Sequence, residues 1–499
     1  MAEPNTQGVK YEKVGNEYFE KRKLRRYAGV LSLWALGVGA VISGQFSGWN
    51  YGLAFGWGSM FAATIVITTM YLGLTYSIAE MGAALPHTGG AYSFARSAMG
   101  PWGGFVTGVA ENIEYVLTPA VVVFFIGSYM GAILETPSSF QPVYWVLGYG
   151  IFVAANLFGV ELSFRVTVFV TLLALACLAF FYVTALPSMD FGRWAMNVGV
   201  GPDGALVELP EGNGPWFPDG VHGVLAALPF AVWLYLAIEQ LPLAAEESID
   251  PKRDMPSGIL FGIFTLVASA FAVLLLNSSI APGAWGLKAS GEPLLEGFRT
   301  LFGTDFAKVL AVVAIAGLVA SFHAIIFAFG RQIYSLSRAG YFPRFLSVTH
   351  GTHHTPHVAL IAGALVGLVV MLLIWYAAGE TAGGAFIGGA LLNMAVFGAM
   401  ISYVMQAVSF ILLRQNLPHI ERPYRSPFGV IGAGLTLIIA LVTLYFQVTD
   451  ATFFVPVMCV AAYYAIMMLY FAAFGRTQLV LSPEEEFAMS KGKADYKAH

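Results

Sequence analysis

Apolar residues come along this chain in long blocks separated by short polar stretches. The blocks have the length that a bilayer demands of a helix, about 20 mainly apolar residues. Read on that measure, spans fall near 28–53, 57–84, 102–134, 142–160, 165–187, 222–245, 257–280, 306–336, 357–378, 384–413, 428–449 and 453–475. That pattern predicts twelve transmembrane helices with outward loops over 188–221 and from Ala281 to Thr304. Two blocks depart from a plain lipid-facing helix. The first carries GVGAVISGQFSGWN from Gly37 to Asn50, where Gly37, Gly39, Gly44 and Gly48 weaken the helix and Ser43 and Gln45 add polarity. A break in hydrocarbon exposes backbone groups that only protein or a watery cavity can satisfy, so it either serves close helix packing or opens a site for a small polar ligand. The second reads ALPFAVWLYLAIEQLPLAAEES, with Pro229 and Pro242 bracketing an intramembrane Glu239. Each proline removes a helix hydrogen bond, and a carboxylate at that depth is costly.

Charge orients the spans. With the N-terminus inside, 21 of the 25 Lys and Arg lie on the cytoplasmic side, and only Arg193, Lys288, Arg299 and Lys308 lie outside. This is the positive-inside asymmetry, and it predicts a multi-pass protein of the cell (inner) membrane with both termini cytoplasmic. The first 26 residues are polar and charged, which argues against a cleavable signal peptide. Composition agrees: 58% of residues are hydrophobic, 11% are charged and the mean hydropathy is +0.71, against about 25% charged in soluble chains. The net charge of −4 points to no partner, nucleic acid included, and nothing sets an oligomeric state. Cys177 and Cys459 both fall in apolar runs. No metal-ligand set, nucleophile motif or phosphate loop is present, so neither an enzyme nor a cofactor is expected. His350, His353, His354 and His357 cluster in a loop at spacings that fit no standard ligand set.

The candidate chemistry lies in the spans. Glu111, Asn112, Glu114 and Tyr115 occupy the middle of the third. At about 3.6 residues per turn, Gly104, Gly108, Glu111 and Tyr115 share one face, and the glycines predict that this face meets another helix. A carboxylate at the bilayer centre costs at least ~2.5 kcal/mol, so it has a partner or a function. Trp233 and Tyr235 could form an aromatic wall for an ammonium group, worth ~0.5 to 2 kcal/mol; packing alone also explains them. His323 reads as a neutral histidine bonded to backbone or as a titrating group. The span centres hold acids without Lys or Arg, which favours a cationic ligand, although helix N-termini can bind a carboxylate and leave amino acids open.

Four motifs resemble the amino acid, polyamine and organocation transporter superfamily: GVGAVISG; EMGAALPHTGGAY from Glu80 to Tyr92; AEESIDPKRDMP from Ala245 to Pro256; and RQIYSLSRAGYFP from Arg331 to Pro343. Within it, ALPHTGGAYSFARSAMGPWGGF followed by GVAENIEYVLTPAVVV is similar to bacterial ethanolamine permeases. The resemblance implies an all-α, 5+5 inverted-repeat, LeuT-like fold with helices 1 and 6 broken. A cytoplasmic tail (1–27) would precede a first repeat (28–187), an outer loop (188–221), a second repeat (222–413), helices 11 and 12 (414–475) and a cytoplasmic tail (476–499). It further implies a secondary transporter importing a small protonated amine by alternating access, with an amino acid or polyamine permease as the alternative and a non-transporting membrane sensor as a remote one. The implied substrate site comprises Ile42, Ser43, Gly44, Gln45, Glu111, Asn112, Tyr115, Trp233, Tyr235, Ala237 and Glu239, with Glu114, Glu239 and His323 as candidates for proton coupling. Ala237 replaces a glycine that relatives carry before the sixth-helix acid, which predicts a gentler break. Ala174 stands where some proton-coupled relatives have a lysine, and around Ala320, Ser321 and Ala324 the paired hydroxyls of a strong sodium site are lacking, so sodium-independent transport is expected.

Overall fold

The computed structural model describes residues 7–490 apart from 13, 15, 23, 86–88 and 379–383. The stretch Pro86–His87–Thr88 of the second motif therefore lies outside the described residues. The chain is mostly helical. Its main helices are α1 (Val30–Val41), α2 (Trp57–Ala84), α3 (Pro101–Leu134), α4 (Gln141–Leu157), α5 (Val160–Ala185) and α6 (Gly220–Trp233). They continue with α7 (Pro251–Ser278), α8 (Thr304–Arg338), α9 (His357–Ala378), α10 (Gly384–Asn416), α11 (Gly429–Thr449) and α12 (Phe454–Ala473). Among the described residues ten helical stretches are long and apolar enough to cross a membrane, and the bent pair Val30–Phe46 and Trp49–Phe55 adds an eleventh. The span expected over 142–160 is α4, at 17 residues about a turn short of a full crossing.

Burial sorts the helices into an inner and an outer set. α8 and α10 each pack along α3, and all three bury most of their side chains. α5, α9, α11 and α12 instead turn large apolar residues outward, such as Phe169 at 67% and Leu469 at 70% exposure. In a membrane protein such a surface is where lipid tails stand in for a core. The predicted glycine face of α3 does meet other helices. A side chain at Gly108 would strike Leu336 of α8, and one at Gly104 would press on Arg96 and Tyr92.

One end of the bundle is held by charge pairs built from the motifs. Glu247 accepts from Arg331 at 2.8 and 3.1 Å with both side chains fully buried, and Glu246 accepts from Arg338 at 2.7 and 2.9 Å. The third and fourth motifs thus bind each other. Glu80 of the second motif pairs with Arg414 and Arg422 and accepts from the Ser426 amide. At the same end the tails fold back. Tyr11–Glu12 pairs in parallel with Leu479–Val480, and the helix Pro483–Met489 docks on the helix Gly90–Met99. Its buried Glu485 accepts hydrogen bonds from Arg96 (2.5 Å), Tyr11 (2.7 Å), Tyr341 (2.9 Å) and Tyr92 (3.0 Å). Burial and the Glu485 charge raise the Tyr11 and Tyr341 phenols above their usual range, so both stay protonated donors.

Removing one partner of a buried ion pair costs about 3–5 kcal/mol, because the other charge is left uncompensated. Glu485→Ala is therefore expected to undock the C-terminal segment, leaving Arg96 unpaired. Limited proteolysis of the purified protein checks this: cleavage within 476–490 should accelerate by at least tenfold, and an unchanged rate would show that the carboxylate does not hold the tail.

Candidate substrate site

The two unusual segments lie against each other, and each supplies what the other's interruption lacks. α1 ends at Val41, a short turn runs from Ser43 to Phe46, and a 3-10 stretch from Trp49 to Phe55 departs by 42°. Gly48 allows that departure by adopting φ +93, which side-chained residues rarely do. α6 ends at Trp233, and a 3-10 helix resumes from Ile238 to Glu247. A helix end leaves carbonyls without partners. Gln45 Nε2 donates to the Leu234 carbonyl at 3.1 Å, the Trp233 indole donates to the Ser47 carbonyl at 2.9 Å, and the Ser321 hydroxyl donates to the Ala40 carbonyl. Ser43 in turn donates to Ser321 at 2.8 Å. Gly44 lets the segments touch, since a Cβ there would collide with the Trp233 carbonyl. Ile42 is buried at the junction of the first two pieces. As expected of a gentler break, Gly220–Glu247 still runs as one membrane-length stretch, whereas the first span bends by 42°. Ala237 takes φ +81 in the left-handed region despite its methyl group, because the turn between α6 and Ile238 requires that sign.

Below this junction stand three buried acids, Glu111, Glu114 and Glu239, at 1%, 0% and 2% exposure. Gln332 of α8 donates to Glu111 at 2.8 Å. The Tyr115 hydroxyl stands 3.4 Å from Glu111 and 3.5 Å from Glu239, looser than an ordinary O–H···O bond. The Tyr403 hydroxyl is 3.4 Å from Glu114 and 2.9 Å from the Tyr71 hydroxyl. The Tyr235 hydroxyl shares a 2.7 Å bond with Thr68, and its ring lies 5.3 Å from that of Tyr71. Oε2 of Glu114 and Oε2 of Glu239 have no N–H or O–H donor among the described residues. Among the described residues no Lys or Arg pairs with any of the three acids.

Several residues proposed from sequence stand elsewhere. Asn112, one position on from Glu111, faces a different side of α3, where it lines an apolar groove of about 390 Å³ with residues of α9 and α12. Trp233 packs against Gly48 and Phe125 at the break, away from the acids. His323 sits in its own polar cluster: Nε2 lies 3.2 Å from the Ser163 carbonyl, and Nδ1 lies 3.1 Å from the Asn156 amide nitrogen. A carbonyl can only accept and that amide nitrogen can only donate, which fixes a neutral ring with the proton on Nε2. Conversely, sequence reasoning missed Thr68, Tyr71, Gln332 and Tyr403. Gln332 was legible as part of the fourth motif, whereas Tyr71 and Tyr403 are single tyrosines in apolar spans.

The amino acid permease family model matches residues 29–476. The chain belongs to the amino acid permease family. It is 27% identical over 438 residues to an uncharacterized transporter of Rhizobium meliloti (strain 1021), covering 86% of this chain and 88% of the relative. It is 22% identical to a branched-chain amino acid permease of Bacillus subtilis (strain 168), covering 84% and 88%, and 23% identical to a methylthioribose transporter of the same organism, covering 84% and 88%. This permease is thus a multi-pass membrane transporter and not an enzyme. In the permease the matched region includes both interruptions and all three acids.

The two breaks predict opposite responses to a methyl group. Ala237→Gly removes left-handed strain of ~1–2 kcal/mol at an entropic cost of ~0.5–1 kcal/mol, so the melting temperature should hold or rise. Gly44→Ala forces a methyl onto the Trp233 carbonyl and should destabilise by ~1–3 kcal/mol. Thermal unfolding of both variants in detergent checks the pair; a stable Gly44→Ala would mean the segments are free to separate.

Proposed function

We propose that this permease imports a small protonated amine by alternating access, with ethanolamine as the cargo that fits best. The observation that carries the reading is the cluster of three buried acids without a basic partner. A carboxylate removed from water needs a counter-charge, and an ammonium group supplies one. In this reading the ammonium binds between Glu239 and Glu111, where Tyr115 stands loosely between the two carboxylates. Tyr71, Tyr235 and Tyr403 take the aromatic role that sequence reasoning gave to Trp233. Gln45 Oε1, a buried acceptor without a donor among the described residues, receives the cargo's hydroxyl. Glu114, whose Oε2 has no donor among the described residues, is the coupling acid: it takes up the proton that an arriving ammonium displaces from Glu239. The Ala40 carbonyl is already engaged by Ser321, which fits transport without sodium.

This reading places the chain in the twelve-span, 5+5 inverted-repeat scheme of 28–187 and 222–413, with helices 1 and 6 broken and both tails in the cytoplasm of a cell whose inner membrane holds the protein. The Lys and Arg asymmetry supports that orientation. An amino acid cargo is the second reading, favoured by the relative named a branched-chain amino acid permease; the relative named a methylthioribose transporter favours a cargo outside the amino acids.

Ligand binding to purified protein separates the readings. Ethanolamine should bind more tightly than alanine, serine or glutamate, whose carboxylates would have to approach Glu111 and Glu239; tighter binding of any of the three would overturn the amine assignment. Substitution then separates the acids. Two charges about 4 Å apart at an effective dielectric near 20 interact by ~4 kcal/mol, part of it cancelled by desolvation. Glu239→Gln should accordingly weaken ethanolamine binding by tenfold or more. Glu114→Gln should spare binding but abolish uptake driven by an imposed proton gradient in proteoliposomes. Glu111→Gln decides between contact and packing: lost affinity marks contact, and a lower melting temperature with unchanged affinity marks packing. Unchanged affinity in both Glu239→Gln and Glu111→Gln would remove the cation site.

A further inference from the structure

The loop of histidines, read from sequence as no metal site, lines a pocket of about 300 Å³ at the end of the bundle that carries the charge pairs. Arg25, Arg165, His353 and His354 line it together with the start of α5, where Gly159 precedes the helix and Glu161 and Leu162 lie in its first turn. Glu161 is the one acid there, and it is neutralised by Arg165 at 2.7 Å. A second bond, from Arg165 Nε to the Tyr27 hydroxyl at 3.3 Å, steadies the guanidinium. Arg25 has no carboxylate partner among the described residues. His353 is held in place by stacking on His350, with ring centroids 4.9 Å apart, and by an edge contact with Phe158 at 6.2 Å. The opening of a helix adds backbone N–H groups that turn toward an anion. The pocket is thus made for a negatively charged group.

Its rim is apolar. Phe158 is 62% exposed, and from Leu162 an exposed stripe continues along the outer face of α5 through Phe169 and Leu172. Positions 162, 169 and 172 share one side of a helix at 3.6 residues per turn. A charged pocket at the helix start therefore leads directly onto a surface that lipid tails cover. A free anion would use the pocket and ignore the stripe, whereas an amphiphile with a phosphate head and acyl tails uses both. We propose that this pocket binds the phosphate headgroup of an anionic phospholipid, with Arg25 and Arg165 on the phosphate and the acyl chains along Leu162, Phe169 and Leu172. Basic pockets between membrane helices on the cytoplasmic side have this use as a class. The assignment rests on the orientation proposed above and is independent of the cargo.

Native mass spectrometry of the delipidated full chain in detergent tests it without reference to transport. Dioleoyl phosphatidylglycerol should bind at least fivefold more tightly than dioleoyl phosphatidylcholine, and an equal concentration of inorganic phosphate should not displace it. The double variant Arg25→Gln/Arg165→Gln should lose that preference while phosphatidylcholine binding stays the same. Both arginines are exposed, and Arg25→Gln alone, which breaks no ion pair, gives the same reading should the double variant melt early. Equal phosphatidylglycerol binding by wild type and variants would overturn the site. Displacement by inorganic phosphate would overturn the lipid assignment in favour of a free-anion pocket.

Discussion

Backbone groups without partners, in surroundings that offer no water, are the constraint on which the centre of this molecule depends. Two helices stop in mid-course, and each stop leaves carbonyls that hydrocarbon cannot satisfy. The structure answers by setting the two stops against each other. Gln45 reaches the Leu234 carbonyl, the Trp233 indole reaches the Ser47 carbonyl, and Ser321 reaches the Ala40 carbonyl. Gly44 is the condition for this exchange, since any larger residue would hold the segments apart at the Trp233 carbonyl. The left-handed Ala237 follows from the same demand. Local backbone strain is accepted there because the surrounding contacts fix the turn.

The acids sit where that junction leaves polar space. Glu239 belongs to the interrupted segment itself, and Glu111 and Glu114 arrive on α3 one turn apart. Their hydrogen-bond partners are hydroxyls and amides, with no cation among the described residues. Neutral donors at distances of 3.4 to 3.5 Å hold a carboxylate weakly. The contrast with the bundle's end is sharp. There Glu247 meets Arg331 at 2.8 Å and Glu485 meets Arg96 at 2.5 Å. The same residue type therefore stands in two settings: acids with guanidinium partners fasten helices and tails, and the three at the centre have no such partner among the described residues. Family membership fits this division without fixing the cargo.

Much of the architecture was legible before any coordinate. Block length located the helices, because the bilayer sets that length, and the glycines and prolines marked both interruptions. The 3.6-residue period put Gly104, Gly108, Glu111 and Tyr115 on one face of α3, and that face does meet α8. The same period leaves open what a neighbouring position meets. Asn112, about 100° around the helix from Glu111, faces an apolar groove instead of the acids.

What the sequence determined by itself was therefore most of the membrane-length helices, ten or eleven of the twelve expected among the described residues, the place of the bend in the first, the excess of buried acids and the membership implied by the motifs, since each is written in residues close together along the chain. Only the tertiary structure decided that Tyr403 stands between Glu114 and Tyr71, that Gln332 holds Glu111, that His323 is committed to Asn156 and Ser163, and that Glu485 of the tail is buried against Arg96. These contacts join positions separated by 160 to 389 residues. A helix reads out its own faces by periodicity, but which partner each face meets depends on how the whole bundle closes.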